Sequence, residues 1–238
     1  MSTEVRYLGH KVSQGVIAPL PEYVDQIKSA PSPSTLREAR SFAGAIQWLH
    51  KYLPNCSMQL QPVQQAINQK PFRWTTEAES AYQMILGQLQ GLQLGSQQEE
   101  GQLVLTTDAS TVGYGSVLKQ HLPNGEVVVL GFHSHAWNKT QRGWPARELE
   151  LFAVLGSARH FRDSIYGRPV TVETDHKSLS ESVSPHKKCN TNKISNWLAE
   201  LVDFDLTVKY IKGSTNQFAD WLSRALAKGL NCVAPLLD

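Results

Sequence analysis

Four acidic residues stand at four separated points of this chain: Asp108, Glu150, Asp175 and Asp220. Asp108 follows the apolar run Leu103-Val104-Leu105, and Asp175 follows Val170-Thr171-Val172. Glu150 lies near the start of a long helical pattern. Asp220 lies early in the last one, within Asn216-Gln217-Phe218-Ala219-Asp220. Carboxylates gathered from strand ends and helix starts repel one another unless cations neutralise them. Hard divalent cations such as Mg²⁺ take oxygen ligands of this kind. Two such ions a few ångströms apart can activate a water and stabilise a leaving oxygen in an in-line displacement at phosphorus. The four residues are therefore the candidate metal ligands and catalytic groups, with Mg²⁺ or Mn²⁺, two ions per site, as cofactor. His176, beside Asp175, is a candidate for proton handling or substrate contact.

The helix start Arg147-Glu148-Leu149-Glu150-Leu151 offers two carboxylates. They lie about 200° apart around a helix, so only one can face the site. Leu151, Val154, Leu155 and Ala158 mark the sheet-facing side, and Glu150 is helically adjacent to Val154 and Ala158. Glu150 is the residue the face argument selects. Glu148 is then placed to favour the helix N-terminus electrostatically. His133 and His135 alternate on one strand face; with no third ligand in view they read as strand residues rather than a zinc site.

The elements that must position these groups follow from the pattern. The spacing predicts strands at Leu103–Thr107, Tyr114–Gln120 and Val127–Ser134, the last two joined at the turn signal Pro123-Asn124-Gly125. Gly113 and Gly115 let the backbone turn closely into the hairpin. A helix over about Ala146–Ile165 leads to a strand at Val170–Thr174, a helix near Asn192–Val202, a strand at Leu206–Ile211 and a helix from about Gln217 to Lys228. The order β-β-β-α-β-α-β-α implies an α/β fold with a five-stranded mixed sheet and flanking helices. Sites in open α/β sheets form at the carboxyl ends of strands, where Asp108 and Asp175 fall.

The first part of the chain reads differently. A short strand near Val5–Gly9 is followed by a Gly- and Pro-punctuated stretch and a helix from Glu22 to Ala30. Ser34 or Thr35 caps a helix running to about Leu53, with Glu38 placed as the capping-box partner of Thr35. Further helices are expected over Leu60–Asn68 and from the Thr75-Thr76 cap to about Leu92. The polar, Gly-flanked stretch 95–101 reads as a linker. The expected division is a mainly helical segment at 1–94, the linker, an α/β domain at 102–228 and a loosely held tail at 229–238.

Composition sets limits. No apolar run approaches the roughly 18 residues of a membrane span, and the N-terminus lacks an apolar stretch like a signal peptide. Three widely spaced cysteines, Cys56, Cys189 and Cys232, do not make a disulfide framework. An intracellular setting, in a cytoplasmic particle or the nucleus, is expected, without membrane partners. Residues 1–100 carry 8 basic and 8 acidic side chains, and residues 101–238 carry 15 and 13. With the four candidate ligands set aside, the second part is left with 15 basic against 9 acidic groups, which suits a polyanionic partner. Lys139, Arg142 and Arg147 lie before and within the helix that carries Glu150. Lys177, Lys187, Lys188 and Lys193 flank the Asp175 loop. Phosphate contacts from such residues would position a duplex without reading its sequence. Trp137 and Trp144 sit among them, to pack on sugars or fill the core.

Four ordered motifs together resemble the ribonuclease H domain of Gypsy-type LTR-retrotransposon reverse transcriptases. They are Thr107-Asp108-Ala109-Ser110 with Gly113 and Gly115; Glu148-Leu149-Glu150-Leu151-Phe152-Ala153-Val154; Thr174-Asp175-His176-Lys177-Ser178-Leu179; and Asn216 to Arg224. The resemblance covers about residues 102–226. It implies the catalytic glutamate is Glu150, cleavage of the RNA strand of RNA–DNA hybrids, and contacts from Ser110 and Arg224 to nucleic acid. Upstream, Tyr7-Leu8-Gly9-His10 is similar to the end of the palm in the same polyproteins. Leu36 to Gly44, Tyr52-Leu53-Pro54-Asn55 and Phe72-Arg73-Trp74-Thr75 are similar to the thumb and connection, which grip the duplex. The polymerase motif with two aspartates is absent, so no DNA synthesis is expected from this chain alone; upstream reverse transcriptase domains or a second copy are the implied protein partners. Gly143-Trp144-Pro145 replaces the family's usual Asn-Tyr-Ser without removing a ligand. Two alternatives stand beside this expectation: a catalytically silent nucleic-acid-binding or assembly module, and an integrase- or transposase-like nuclease of the same fold superfamily.

Overall fold

The computed structural model describes residues 4–13, 15–177, 179, 192–212 and 233–235. The chain opens with a meander of three short antiparallel strands, β1 (Glu4–Tyr7), β2 (His10–Ser13) and β3 (Val16–Pro19). Only the first was expected. The β1–β2 turn places Leu8 at φ 45° and Gly9 at φ 81°, and Tyr7 pairs with His10. A two-residue turn with both φ values positive ordinarily carries Asn-Gly. Leucine in the left-handed region gives no such signal, and the hairpin went unread.

Helices α1 (Pro21–Ser29), α2 (Leu36–Trp48), α3 (Cys56–Gln59), α4 (Gln61–Asn68) and α5 (Thr76–Gln88) follow. The Thr35 hydroxyl accepts the Glu38 N–H, and the Glu38 carboxylate accepts the Thr35 N–H, so the capping box closes as expected. Beyond α2 a 3₁₀ turn, His50–Tyr52, carries the chain to Pro54. Strand β4 (Leu94–Gly95) then returns to pair with β3, across the expected boundary between the helical segment and the linker.

The second sheet is built from β5 (Gln102–Ala109), β6 (Gly113–His121), β7 (Glu126–Ala136), β8 (Val170–Thr174) and β9 (Leu206–Tyr210) in the order β7-β6-β5-β8-β9. β5–β6 and β6–β7 are antiparallel, and β5–β8 and β8–β9 are parallel. This is the expected mixed α/β sheet. A sixth strand, β10 (Val233–Pro235), comes from the stretch read as a loose tail and pairs antiparallel with β7. Helix α6 (Ala146–His160) is followed by a short α7 (Arg162–Ile165) and, later, by α8 (Asn192–Leu201). The single helix expected to reach Ile165 is broken at Phe161, whose ring is buried against the sheet. The helix expected from Gln217 lies outside the described residues. No helix among the described residues is long and apolar enough to cross a membrane.

The sheet is buried on both faces. Adjacent residues on a strand point to opposite sides, and Val117 and Leu118 enter two different cores. Leu118 joins Leu103, Leu105, Val170 and Val172 beneath Leu151, Val154 and Leu155 of α6. Val117, Val129 and Phe132 pack instead with Phe42, Ile46, Leu49, Leu53, Tyr82 and Ile85 of the helical segment. Hydrogen bonds reinforce this junction: the Ser57 N–H donates to Ser134 Oγ at 2.9 Å, and the Ser57 hydroxyl donates to the Ser134 carbonyl at 2.8 Å. Gly115 is explained here. A Cβ on it would stand 2.2 Å from Asn55 Oδ1, so the small residue admits the neighbouring segment rather than bending the strand.

Candidate active site

The parallel pairing of β5 with β8 brings Asp108 and Asp175 together. The β5–β8 pairing ends with Thr106 and Glu173; Asp108 and Asp175 follow two residues later at the carboxyl ends of these strands, near enough that Asp175 acts on the Asp108 carboxyl. Thr106 and Glu173 are themselves joined, the hydroxyl donating to the carboxylate at 2.9 Å, with Lys119 3.5 Å from the same oxygen. Glu173 is thus satisfied inside the sheet, while Asp108 and Asp175 emerge at its rim, exposed. Glu150 reaches them from the second turn of α6 and is buried. Its Oε2 has no hydrogen-bond partner.

Electrostatics follow from that placement. Burial, Asp175 and Asp108 together push the Glu150 carboxyl up to about 8. Asp108 is also raised, first by loss of solvent and then by Asp175. A buried carboxylate oxygen without a donor, beside two further carboxylates, is a strained arrangement for anions alone. It fits a divalent cation with oxygen preference. Among the described residues Asp108, Glu150 and Asp175 do not bring one oxygen each to within 4.8 Å of the others.

Glu148 turns away from this centre. It pairs with Lys193 of α8, whose ammonium lies 3.2 Å from the Trp144 ring centroid and 4.7 Å from that of Trp197. Lys193, expected to meet phosphate, is held in this cage. The Ser110 hydroxyl donates to the Gly113 carbonyl at 2.9 Å, and its carbonyl accepts the Trp137 indole N–H at 2.7 Å, so Ser110 shapes the β5–β6 turn. Trp137 is buried core. Arg142 donates to the Trp137 carbonyl at 3.2 Å and stays exposed, as do Lys139, Arg147 and Lys177. His176 is half-buried, and its backbone N–H is capped by Thr174 Oγ1 at 3.1 Å. Asp220, Lys187, Lys188 and Arg224 lie outside the described residues.

The family model for the RNase H-like domain found in reverse transcriptase matches residues 98–204. Residues 98–204 are a reverse-transcriptase RNase H-like domain. The chain as a whole is 32% identical over 232 residues to the retrovirus-related Pol polyprotein from transposon 412 of Drosophila melanogaster, covering 95% of this chain and 18% of that one. It is 26% identical over 226 residues to the transposon Tf2-3 polyprotein of Schizosaccharomyces pombe, covering 93% and 17%. The chain therefore spans less than a fifth of the length of these relatives. The foamy viral protease-reverse transcriptase in complex with dsDNA superposes with a TM-score of 0.72 at 23% identity, covering 90% of this chain and 46% of that one. The same protein in complex with RNA/DNA hybrid gives 0.70 at 23%, covering 89% and 29%. The likeness extends beyond the RNase H-like domain into the helical segment, since it covers most of the chain.

One cluster was missed. His133 was read as a strand residue for want of a third ligand, yet the structure sets it against His50 and His160, with ligand nitrogens all within 4.8 Å. His50 comes from the helical segment and His160 from the end of α6. No local spacing links them, so the sequence carried no signal.

Proposed function

We propose that this chain is a Mg²⁺- or Mn²⁺-dependent endonuclease that hydrolyses the RNA strand of RNA–DNA hybrids. The observation that carries the reading is Glu150: buried, unpartnered at Oε2 and raised to about 8 by burial and the two neighbouring aspartates. Asp108, Glu150 and Asp175, joined by Asp220, would hold two ions. When bound, the ions would supply an activated water and charge neutralisation at the scissile phosphate. Glu150 would have to give up its proton to serve as a ligand, so binding would strengthen as pH rises towards 8. His176, next to Asp175, would carry a proton to or from the reacting phosphate group. Exposed Lys139, Arg142 and Lys177 would hold the duplex backbone, with 2′-hydroxyl contacts giving preference for the hybrid. The solved foamy viral relative bound to RNA/DNA hybrid supports that substrate class. The helical segment, packed on the opposite face of the sheet, would lengthen the duplex track.

The test is cleavage of a labelled RNA–DNA hybrid in Mg²⁺ and in Mn²⁺, against RNA and DNA duplexes. Hybrid-only cleavage that Asp108→Asn removes establishes enzyme and site together. A wild-type chain that binds hybrid and leaves it intact returns the reading to a silent binding module.

A further inference from the structure

We propose that His50, His133 and His160 form a site for one divalent transition-metal ion, zinc first, that ties the helical segment to the RNase H-like domain. The ligand nitrogens already lie within 4.8 Å of one another. The three residues come from the 3₁₀ turn His50–Tyr52, from β7 and from the last position of α6, so one ion would join both parts of the chain.

Each ring can be followed to a ligand form. His133 Nδ1 is buried with no hydrogen-bond partner, while its Nε2 lies 3.1 Å from the Tyr114 hydroxyl. With the proton on Nε2 and donated to Tyr114 Oη, the Nδ1 lone pair is free. A metal-ligating histidine is commonly fixed in this way through its second nitrogen. Tyr114 is in turn held by close packing: a Cβ on Gly156 would stand 2.1 Å from its oxygen. His50 Nε2 accepts the Ser134 N–H at 3.3 Å, so that nitrogen carries no proton, and ligation exchanges a long hydrogen bond for a metal bond. His160 stacks on His133, centroids 4.0 Å apart and planes 13° from parallel. Parallel rings cannot share an ion in both planes, so ligation turns His160. It is exposed, and its ring contacts are aromatic ones with His50, His133 and Phe161.

The chemistry selects the ion. Imidazole nitrogens suit zinc, nickel or copper, whereas Mg²⁺ prefers oxygen. Three protein ligands leave a fourth position, which water reaches on the exposed His160 side. Partial loss of solvent around the rings lowers all three imidazoles, even that of His160 at the surface, and His133 to about 3, so protons do not compete at neutral pH. Glu150 and His160 are ten residues apart on α6, which separates the two centres by about 15 Å along the helix. The histidine site therefore stands whether or not the carboxylates cleave RNA.

The test is titration of the 238-residue Asp108→Asn chain with Zn²⁺ by calorimetry, in excess Mg²⁺ to occupy oxygen sites, repeated with Co²⁺ for its visible absorption. One equivalent is expected, with a tetrahedral Co²⁺ band. His160→Gln, at an exposed position, should keep its melting profile without metal and lose at least about tenfold in affinity; Tyr114→Phe should lose roughly tenfold through the freed ring. A chain that takes up no Zn²⁺, or one whose His160→Gln form binds as the parent does, overturns the proposal and leaves three packed neutral imidazoles.

Discussion

Helix α6 carries Glu150 near its start and His160 at its end, and the two residues belong to clusters of opposite chemistry. At the first, three carboxylates crowd at the ends of parallel strands, and the buried member is raised to about 8. At the second, three imidazoles meet at the junction of the two segments, and all are lowered. In both places burial and like neighbours favour the neutral form. The consequences differ. A neutral carboxyl must lose a proton to bind a cation, so the acidic site is poised by pH. A neutral imidazole is already a ligand. Donor hardness would then separate the ions that each proposed site takes.

The sharpest way to break that comparison is Asp108→Asn. It should lower hybrid cleavage roughly a thousandfold, a loss of about 4 kcal/mol of transition-state stabilisation. Zn²⁺ uptake at the histidines should be unchanged. Loss of both in a cleavage assay paired with Zn²⁺ titration would mean the clusters are not separate.

Next is Leu53→Ala. Leu53 is 1% exposed in the core shared by both segments. Removing its side chain should cost about 2–5 kcal/mol. Because that core includes Val117, Val129 and Phe132, the melt should stay a single transition at lower denaturant. Separate transitions in urea followed by tryptophan fluorescence would show that the junction does not couple the segments.

A smaller effect isolates Glu150. Without cations, folded Glu150 keeps its proton to about 8, against an ordinary value of 4.5. Across that window the folded state binds more protons than the unfolded one, so stability falls as pH rises from about 4.5 to about 8. Glu150→Gln should remove this slope and stabilise the metal-free chain at pH 8 by about 1–3 kcal/mol, while abolishing cleavage. Parallel melting curves for the two proteins from pH 4 to 9 would contradict the burial argument.

The smallest effect lies far from both clusters. Thr35→Ala should cost about 1 kcal/mol by opening the capping box of α2, read as a shift in thermal midpoint. Cleavage and Zn²⁺ affinity measured well below that midpoint should not change.

What could be read from the sequence was local or periodic. The Thr35–Glu38 box needs only a three-residue spacing, and the choice of Glu150 over Glu148 needs only helical geometry. The strand ends at Asp108 and Asp175 were marked by the apolar runs before them. The Leu8-Gly9 turn escaped because the first of its two positive φ values falls on a leucine, which seldom adopts one. The sixth strand escaped because three residues have too little pattern to distinguish a strand from a tail.

The sequence by itself determined the α/β order, the family and the carboxylates worth testing, because periodicity and motif spacing are properties of neighbouring residues. Only the tertiary structure decided that Glu150 is buried with Oε2 unpartnered, that Lys193 is caged by Glu148, Trp144 and Trp197, and that Gly115 and Gly156 make room for Asn55 and Tyr114. It alone assembled His50, His133 and His160. Those facts depend on which distant surfaces are pressed together, and close packing joins residues that no local spacing relates.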